Sequence, residues 1–204
     1  LHEVLRSGKY EVAGLLTTVT EGYDRISMHG VRRVLLERQS ESLGIPVRQV
    51  RISKDADNQE YEKKLAAALH EYKEQDVQSV CFGDIFLEDL RAYREQNLSK
   101  LGMRGLFPLW KQDTTALLKD FMQRGFRAVV TCVDTKALDA SFAGAEIDQD
   151  FLRKLPSHVD PCGENGEFHS FVYDGPYYKT PVRFTRGESV MRDARFCFRD
   201  LIPT

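Results

Sequence analysis

The feature that most constrains this chain is the alternation of short apolar runs with helical stripes through its first half. Residues 10–19 (YEVAGLLTTV) form a β-branched, apolar run of the kind buried in parallel sheets. A polar loop follows, and Val31-Arg32-Arg33-Val34-Leu35-Leu36 starts a helix that Gly44 closes before Pro46. Residues 47–52 alternate like a strand, and Tyr61, Leu65, Ala68, Leu69 and Tyr72 fall on one helical stripe. Residues 77–82 give a third strand ended by Gly83-Asp84, after which Leu87, Leu90 and Tyr93 mark another helix. This β-α-β-α-β-α order predicts a parallel sheet wrapped by helices through right-handed crossovers. Ligands of such sheets sit at the carboxyl ends of strands, which singles out the loops 20–30 and 83–88.

The ends of the pattern differ. Leu1 to Lys9 reads as the tail of an amphipathic helix, with Leu1, Val4 and Leu5 on one face and Gly8 as its stop. No strand or N-cap precedes it, so the expectation is a chain that begins inside an element. After Pro108 the texture changes. Leu117, Leu118, Phe121 and Met122 give a helix ended by Gly125, residues 128–133 a strand, and Phe151, Leu152 and Leu155 a short helix. From Cys162 the chain is rich in Gly, Pro and aromatics, with strand-like stretches at 168–173 and 182–185. A boundary near residues 106–113 predicts two domains, 1–107 and 108–204.

Composition excludes several classes. With 42% hydrophobic and 29% charged residues the chain is that of a globular protein, not a disordered one. A net charge of −2 argues against a dedicated nucleic-acid binder. No apolar run approaches the roughly 18–20 residues of a membrane span, and no basic-then-apolar leader opens the chain. Cys81, Cys132, Cys162 and Cys197 are scattered without a C-x-x-C pair, which favours free thiols in a reducing compartment and a cytoplasmic location.

Familiar nucleotide motifs fail. Ser7-Gly8-Lys9 lacks the upstream glycine of a Walker loop, G-x-G-x-x-G and G-x-S-x-G are absent, and residues 102–105 (GMRG) read as a turn. The densest candidate is Asp160-Pro161-Cys162-Gly163-Glu164-Asn165-Gly166-Glu167-Phe168-His169-Ser170. Asn165-Gly166 is a hairpin signal, and Glu167 and His169 share a face if they lie on a strand. A hairpin whose charges are merely solvated explains the same spacing, and a metal set of His158, Cys162, Glu167 and His169 mixes ligand types without a known spacing. Ser27-Met28-His29-Gly30-Val31 precedes a helix, where backbone amides can hold an anion or the edge of a base; an idle loop histidine is the plain alternative. Asp84, Glu88 and Asp89 either hold a metal ion or form a charged helix start, and Trp110, the one tryptophan, suits packing.

Taken in order, Ser27-Met28-His29-Gly30-Val31-Arg32, Gly83-Asp84-Ile85, Pro108-Leu109-Trp110 and Cys162-Gly163-Glu164-Asn165-Gly166-Glu167-Phe168 resemble the diphthine–ammonia ligase family. The resemblance runs from Leu1 to about Pro181. It implies a PP-loop ATP pyrophosphatase of the adenine nucleotide α-hydrolase-like fold: an α/β, Rossmann-like nucleotide domain lacking its first strand and loop, joined to a smaller α+β domain. The family's Ser-Gly-Gly-Lys-Asp-Ser loop is not in this sequence, and the expectation is that it precedes Leu1. Met28-His29-Gly30-Val31-Arg32 stands where diphthine ligases usually have Tyr-Gln-x-x-Gly-His, and His169 stands at a glutamate of their C-terminal signature. The chain therefore resembles a sister subgroup of the true diphthine ligases.

The resemblance implies an AMP-forming amide ligase that uses ATP and Mg²⁺ to adenylate a small-molecule or protein-borne carboxylate acceptor for attack by ammonia. Thr18, Met28, His29 and Gly30 would lie near the adenine, and Gly83 and Asp84 would flank the ribose or phosphates. Glu164, Asn165, Gly166 and Glu167 would line the acceptor site at the domain cleft. Two other classes stay open: a non-catalytic nucleotide-binding module, and a PP-loop enzyme that modifies tRNA. Arg183, Arg186, Arg192, Arg195 and Arg199 interleave with Glu188, Asp193 and Asp200, which reads as a solvated or oligomer-forming surface and not an RNA stripe.

Overall fold

The computed structural model describes residues 1–204. The elements in chain order are α1 (His2–Ser7), β1 (Leu15–Thr20), β2 (Arg25–Ile26), α2 (Arg33–Leu43), β3 (Val47–Ile52), α3 (Asn58–Lys73), β4 (Ser79–Cys81) and α4 (Glu88–Lys100). They continue as β5 (Arg104–Leu106), α5 (Thr114–Gln123), β6 (Arg127–Asp134), α6 (Gln149–Lys154), β7 (Phe168–Asp174), β8 (Phe184–Arg192) and β9 (Phe196–Pro203). The chain is a mixed α/β protein of two compact units. One comprises Leu1–Gly22 with Ile45–Gln112, the other Tyr23–Gly44 with Asp113–Thr204.

The first unit holds two parallel strand pairs. β1 pairs with β3 from Leu15↔Val47 to Thr20↔Ile52, and β4 pairs with β5 from Ser79↔Arg104 to Cys81↔Leu106. α3 covers the first pair through the expected stripe: Val50, Ile52 and Ala68 cluster with Leu16, Ala56 and Tyr61. Its start is capped by Asp57, whose side chain accepts from Glu60 N–H. α1 ends at Gly8, which takes the left-handed conformation as a C-cap glycine should. The first strand begins later than the apolar run, at Leu15, just after Gly14. A Cβ on Gly14 would lie 2.5 Å from Tyr72 Oη, so the backbone approaches α3 there. Residues 102–105 are more than a turn. Met103 is buried beside Leu69 and Leu98, and Arg104–Leu106 is a strand. Gly105 hides the strand pattern because a side chain there would meet Phe107, 2.7 Å away.

The second unit is built on an antiparallel sheet of order β7-β6-β9-β8. β6 is its spine, with seven of its eight residues buried, which is why it reads as a continuous apolar run. A register shift between Val130 and Cys132 sets Cys132 opposite His169 and Val133 opposite Phe168. One cluster joins Ala128, Val130 and Val133 to Leu118 of α5 and Phe151 of α6. A second joins Val129, Phe171 and Tyr173 to Val31 and to Leu35 of α2. β8 and β9 form a hairpin from the arginine-rich terminus. Two of its arginines are ion-paired within the unit, Arg186 with Glu146 and Arg195 with Asp134.

Candidate functional site

The second unit presents two loops that converge on β7. In the first, Ile26 N–H donates to Val31 O (2.8 Å), Gly30 N–H to Ile26 O (3.0 Å) and His29 N–H to Ser27 O (2.8 Å). So tight a reversal needs positive φ at Met28 (62°) and Gly30 (68°). Position 30 is further restricted, because a Cβ there would sit 2.6 Å from the Phe198 ring. Arg25 clamps the turn by donating to Gly30 O (2.7 Å) and to Asp200 (2.9 Å). Arg32 donates to both oxygens of Asp200, at 3.0 and 2.6 Å. The Arg32 hydrogen bonds, outweighing burial and joined by Arg25, hold the Asp200 carboxyl at about 2. Met28, at the apex, is 61% exposed.

This loop delivers His29 onto β7. The His29 and His169 rings are 4.6 Å apart between centroids and tilted by 38°. His29 Nδ1 lies 3.3 Å from Ser170 O, which makes it the donor in the neutral tautomer. Thr131 Oγ1 donates to the carbonyl of His169 itself (3.3 Å). Burial lowers the His29 pKa against the opposing pull of the Ser170 carbonyl. Burial, and then the neighbouring His29, bring His169 down to about 4. Near neutral pH the pair is two uncharged imidazoles.

The second loop, 160–167, is organised by two carboxylates. Asp160 Oδ2 accepts from the N–H groups of Cys162 (3.1 Å) and Glu164 (2.9 Å). Glu167, 6% exposed, accepts from Asp160 N–H, Asn165 N–H and Asn165 Nδ2, each at 3.0 Å. Burial pushes the Glu167 carboxyl up, but these hydrogen bonds outweigh it and leave the group below its ordinary value. Glu167 is thus turned into the loop as its staple, with Asn165 tied to it. Gly166 sits at φ 85° with open space around its Cβ position, so conformation, not crowding, calls for glycine there. The Cys162 thiol donates to Thr114 O (3.3 Å) and is pushed up to about 12 by burial and then by Asp160, Glu164 and Asp113. It is a packed thiol, not a thiolate nucleophile.

Thr18, Gly83 and Asp84 lie in the first unit. Thr18 is half-buried in β1, opposite Val50. Gly83 follows β4, with nothing near its Cβ position. Asp84 is buried against Arg94, which donates at 2.6 and 3.3 Å while its guanidinium lies 4.4 Å from the Phe82 ring centre. Glu88 pairs with Lys111. With both carboxylates facing cations, and no three His, Cys, Asp or Glu side chains converging, these residues do not by themselves form a seat for Mg²⁺. His158, Cys162, Glu167 and His169 likewise do not gather into a ligand set.

Several organising residues escape a reading of the sequence. Asp200 and Phe198, which hold the 25–32 turn, come from a strand with apolar residues on both faces. Asp160 carries a usable signal: an Asp followed at two and four residues by glycine-flanked amides is an Asx-type turn former.

Comparison with known proteins matches both halves of the chain. Residues 1–105 match the diphthamide synthase N-terminal domain and residues 113–197 the diphthamide synthase C-terminal domain. The diphthine–ammonia ligase of Schizosaccharomyces pombe is 31% identical over 119 residues, covering 56% of this chain and 20% of that protein. That of Danio rerio is 30% identical over 144 residues, covering 66% of this chain and 55% of the relative. The human protein of that name is 26% identical over 185 residues, covering 86% of this chain and 67% of the relative. The chain thus spans from a fifth to two thirds of the length of these relatives. Matched in both domains along nearly its whole length, it belongs to the diphthamide synthase family.

Proposed function

We propose that the chain belongs to an ATP-dependent, AMP-forming amide ligase whose PP-loop lies outside residues 1–204. ATP supplies the adenylyl group: the acceptor carboxylate bonds to the α-phosphorus as pyrophosphate leaves. Ammonia then forms the C–N bond as AMP departs and a proton is given up. Thr18, Met28, His29 and Gly30 would bind near the adenine, Gly83 and Asp84 near the ribose or phosphates, and Glu164, Asn165, Gly166 and Glu167 would form the acceptor site. Mg²⁺ is proposed to accompany the nucleotide, and a diphthine residue is the acceptor named for the relatives.

The observation that supports this reading most is the 160–167 loop, in the part matched to the C-terminal domain. Its two carboxylates fix five N–H donors, four of the backbone and one of the Asn165 amide, into a rigid platform. Such a platform is held ready before any acceptor arrives, so little reorganisation is needed on binding. Within this reading Glu167 is a positioning residue, since its oxygens are spent on the loop. The neutral His169, two residues further along the same segment and packed on His29, offers polar atoms without charge. Arg186 of β8 and Arg195 of the turn that follows it are ion-paired, which does not favour the tRNA reading.

The test is nucleotide product analysis with purified protein that carries its PP-loop N-terminus, supplied with a diphthine-bearing acceptor. Release of AMP and pyrophosphate that depends on acceptor and ammonium is the expected result. ADP as the main product overturns the adenylation reading, and nucleotide binding without turnover favours the binding module.

A further inference from the structure

The second unit has an open hollow of about 610 Å³ between the C-terminal part of α2 and the segment that leads into β8. Its lining includes Arg38, Glu41, Ser42, Lys179, Val182 and Arg183. The walls are riveted together. Ser42 Oγ donates to Thr180 O (2.5 Å) and accepts from Thr180 N–H (3.2 Å), while Ser42 O accepts from Lys179 N–H (3.0 Å). Gln39 Nε2 adds donations to Val172 O (2.6 Å) and Tyr178 Oη (3.1 Å).

The charges in this hollow are unbalanced. Elsewhere in the unit Arg25, Arg32, Arg33, Arg186 and Arg195 each face a carboxylate. The side chains of Lys179 and Arg183 face none within ion-pair distance, and Arg38 donates to a Thr204 oxygen (2.8 Å). Glu41 is the one acidic side chain of the lining, against three cations. The end of α2 accounts for part of one positive charge, since Lys179 Nζ lies 3.0 Å from the Cβ position of Gly44 and helix C-termini favour cations. With Arg38 already donating to Thr204 O, the surplus remains chiefly on Arg183, whose planar guanidinium suits a tetrahedral oxyanion.

We propose that this hollow binds the phosphate group of a small phosphorylated molecule. Its volume falls within the roughly 300–1,000 Å³ of small-molecule sites, and the exposed Pro181 provides apolar surface for the organic part. A nucleic-acid backbone would call for a stripe of cations along a face, whereas these line a single hollow. The site is separate from every residue assigned to the proposed ligase reaction.

Calorimetric titration of the full chain with pyrophosphate, and with glucose 6-phosphate, tests the assignment. Wild type should bind both, Lys179→Ala/Arg183→Ala should weaken binding at least tenfold, and Glu41→Gln should tighten it severalfold. These side chains are exposed, and melting curves report whether each variant folds; should the double variant melt early, Lys179→Gln and Glu41→Gln carry the comparison. Three outcomes overturn the proposal. They are no binding by folded wild type, binding indifferent to all of these substitutions, and a short single-stranded RNA that binds here without competition from pyrophosphate.

Discussion

The His29 imidazole packs 4.6 Å from that of His169, with its Nδ1 facing the carbonyl of Ser170, the residue that follows its partner. The 25–32 turn is thereby locked to the start of β7. Burial depresses both pKa values, so the contact is built for uncharged rings.

That depression has a consequence for stability. The unfolded His169 titrates near 6.5 and the folded one near 4, so between these values the unfolded chain binds more protons. Stability is therefore fully present above about 6.5 and falls as pH falls toward 4. Lowering pH from about 7.5 to 5 should cost about 2 kcal/mol through this group alone. In His169→Gln the loss should be smaller by that amount. Urea unfolding of both proteins at the two pH values checks this, and parallel pH slopes would refute it.

Glu167→Gln should leave the fold recognisable but loosen its loop. The new amide NH₂ must face N–H groups that now donate to a carboxylate oxygen, costing about 1.5–3 kcal/mol. ATP affinity should hardly change, while acceptor-dependent AMP release falls by about tenfold per 1.36 kcal/mol of lost transition-state stabilisation. Thermal melting, ATP calorimetry and product analysis separate these effects. A folded Glu167→Gln protein that no longer binds ATP would place the loop in the nucleotide site instead.

Gly30→Ala tests the other loop. Its methyl group would meet the Phe198 ring at 2.6 Å, and φ is 68°, so about 1–3 kcal/mol of destabilisation is expected. The histidine pair should open, moving the His169 titration back toward 6.5 in NMR spectra. Adding Phe198→Leu should recover part of the stability by removing the clash but not the conformational strain. A Gly30→Ala protein with wild-type stability and His169 titration contradicts the geometry.

How far the sequence reveals this architecture depends on whether a feature is local. α1 and α2 end where Gly8 and Gly44 take left-handed conformations, and the α3 stripe packs as its period requires. β5 is illegible because Gly105 removes a side chain from a three-residue strand. β9 is obscured because Phe198 and Asp200 on one face and Cys197 and Leu201 on the other all find partners, so no polar face alternates with an apolar one. Glu167 reads as an outward-facing carboxylate, yet the unpaired amides of its own loop draw it inward. The His29–His169 contact has no local signature at all, since it depends on the Val130–Cys132 register shift and on the clamp at Asp200.

That clamp is the last point to test. Asp200 receives Arg25 and Arg32 together, and Arg25 in turn holds Gly30 O, so the carboxylate supports the His29 turn at one remove. Asp200→Asn should destabilise the protein by about 2 kcal/mol, below the roughly 3–5 kcal/mol of a fully buried broken pair because both arginines keep some solvent. The wild-type contribution is present above the ordinary aspartate value near 3.8 and is lost as pH falls toward about 2, so the wild-type and variant stability curves should converge there. A double-mutant cycle of Asp200→Asn with Gly30→Ala should be non-additive, because both changes release the same turn. Strict additivity would mean that Asp200 anchors β9 alone and has no hold on His29.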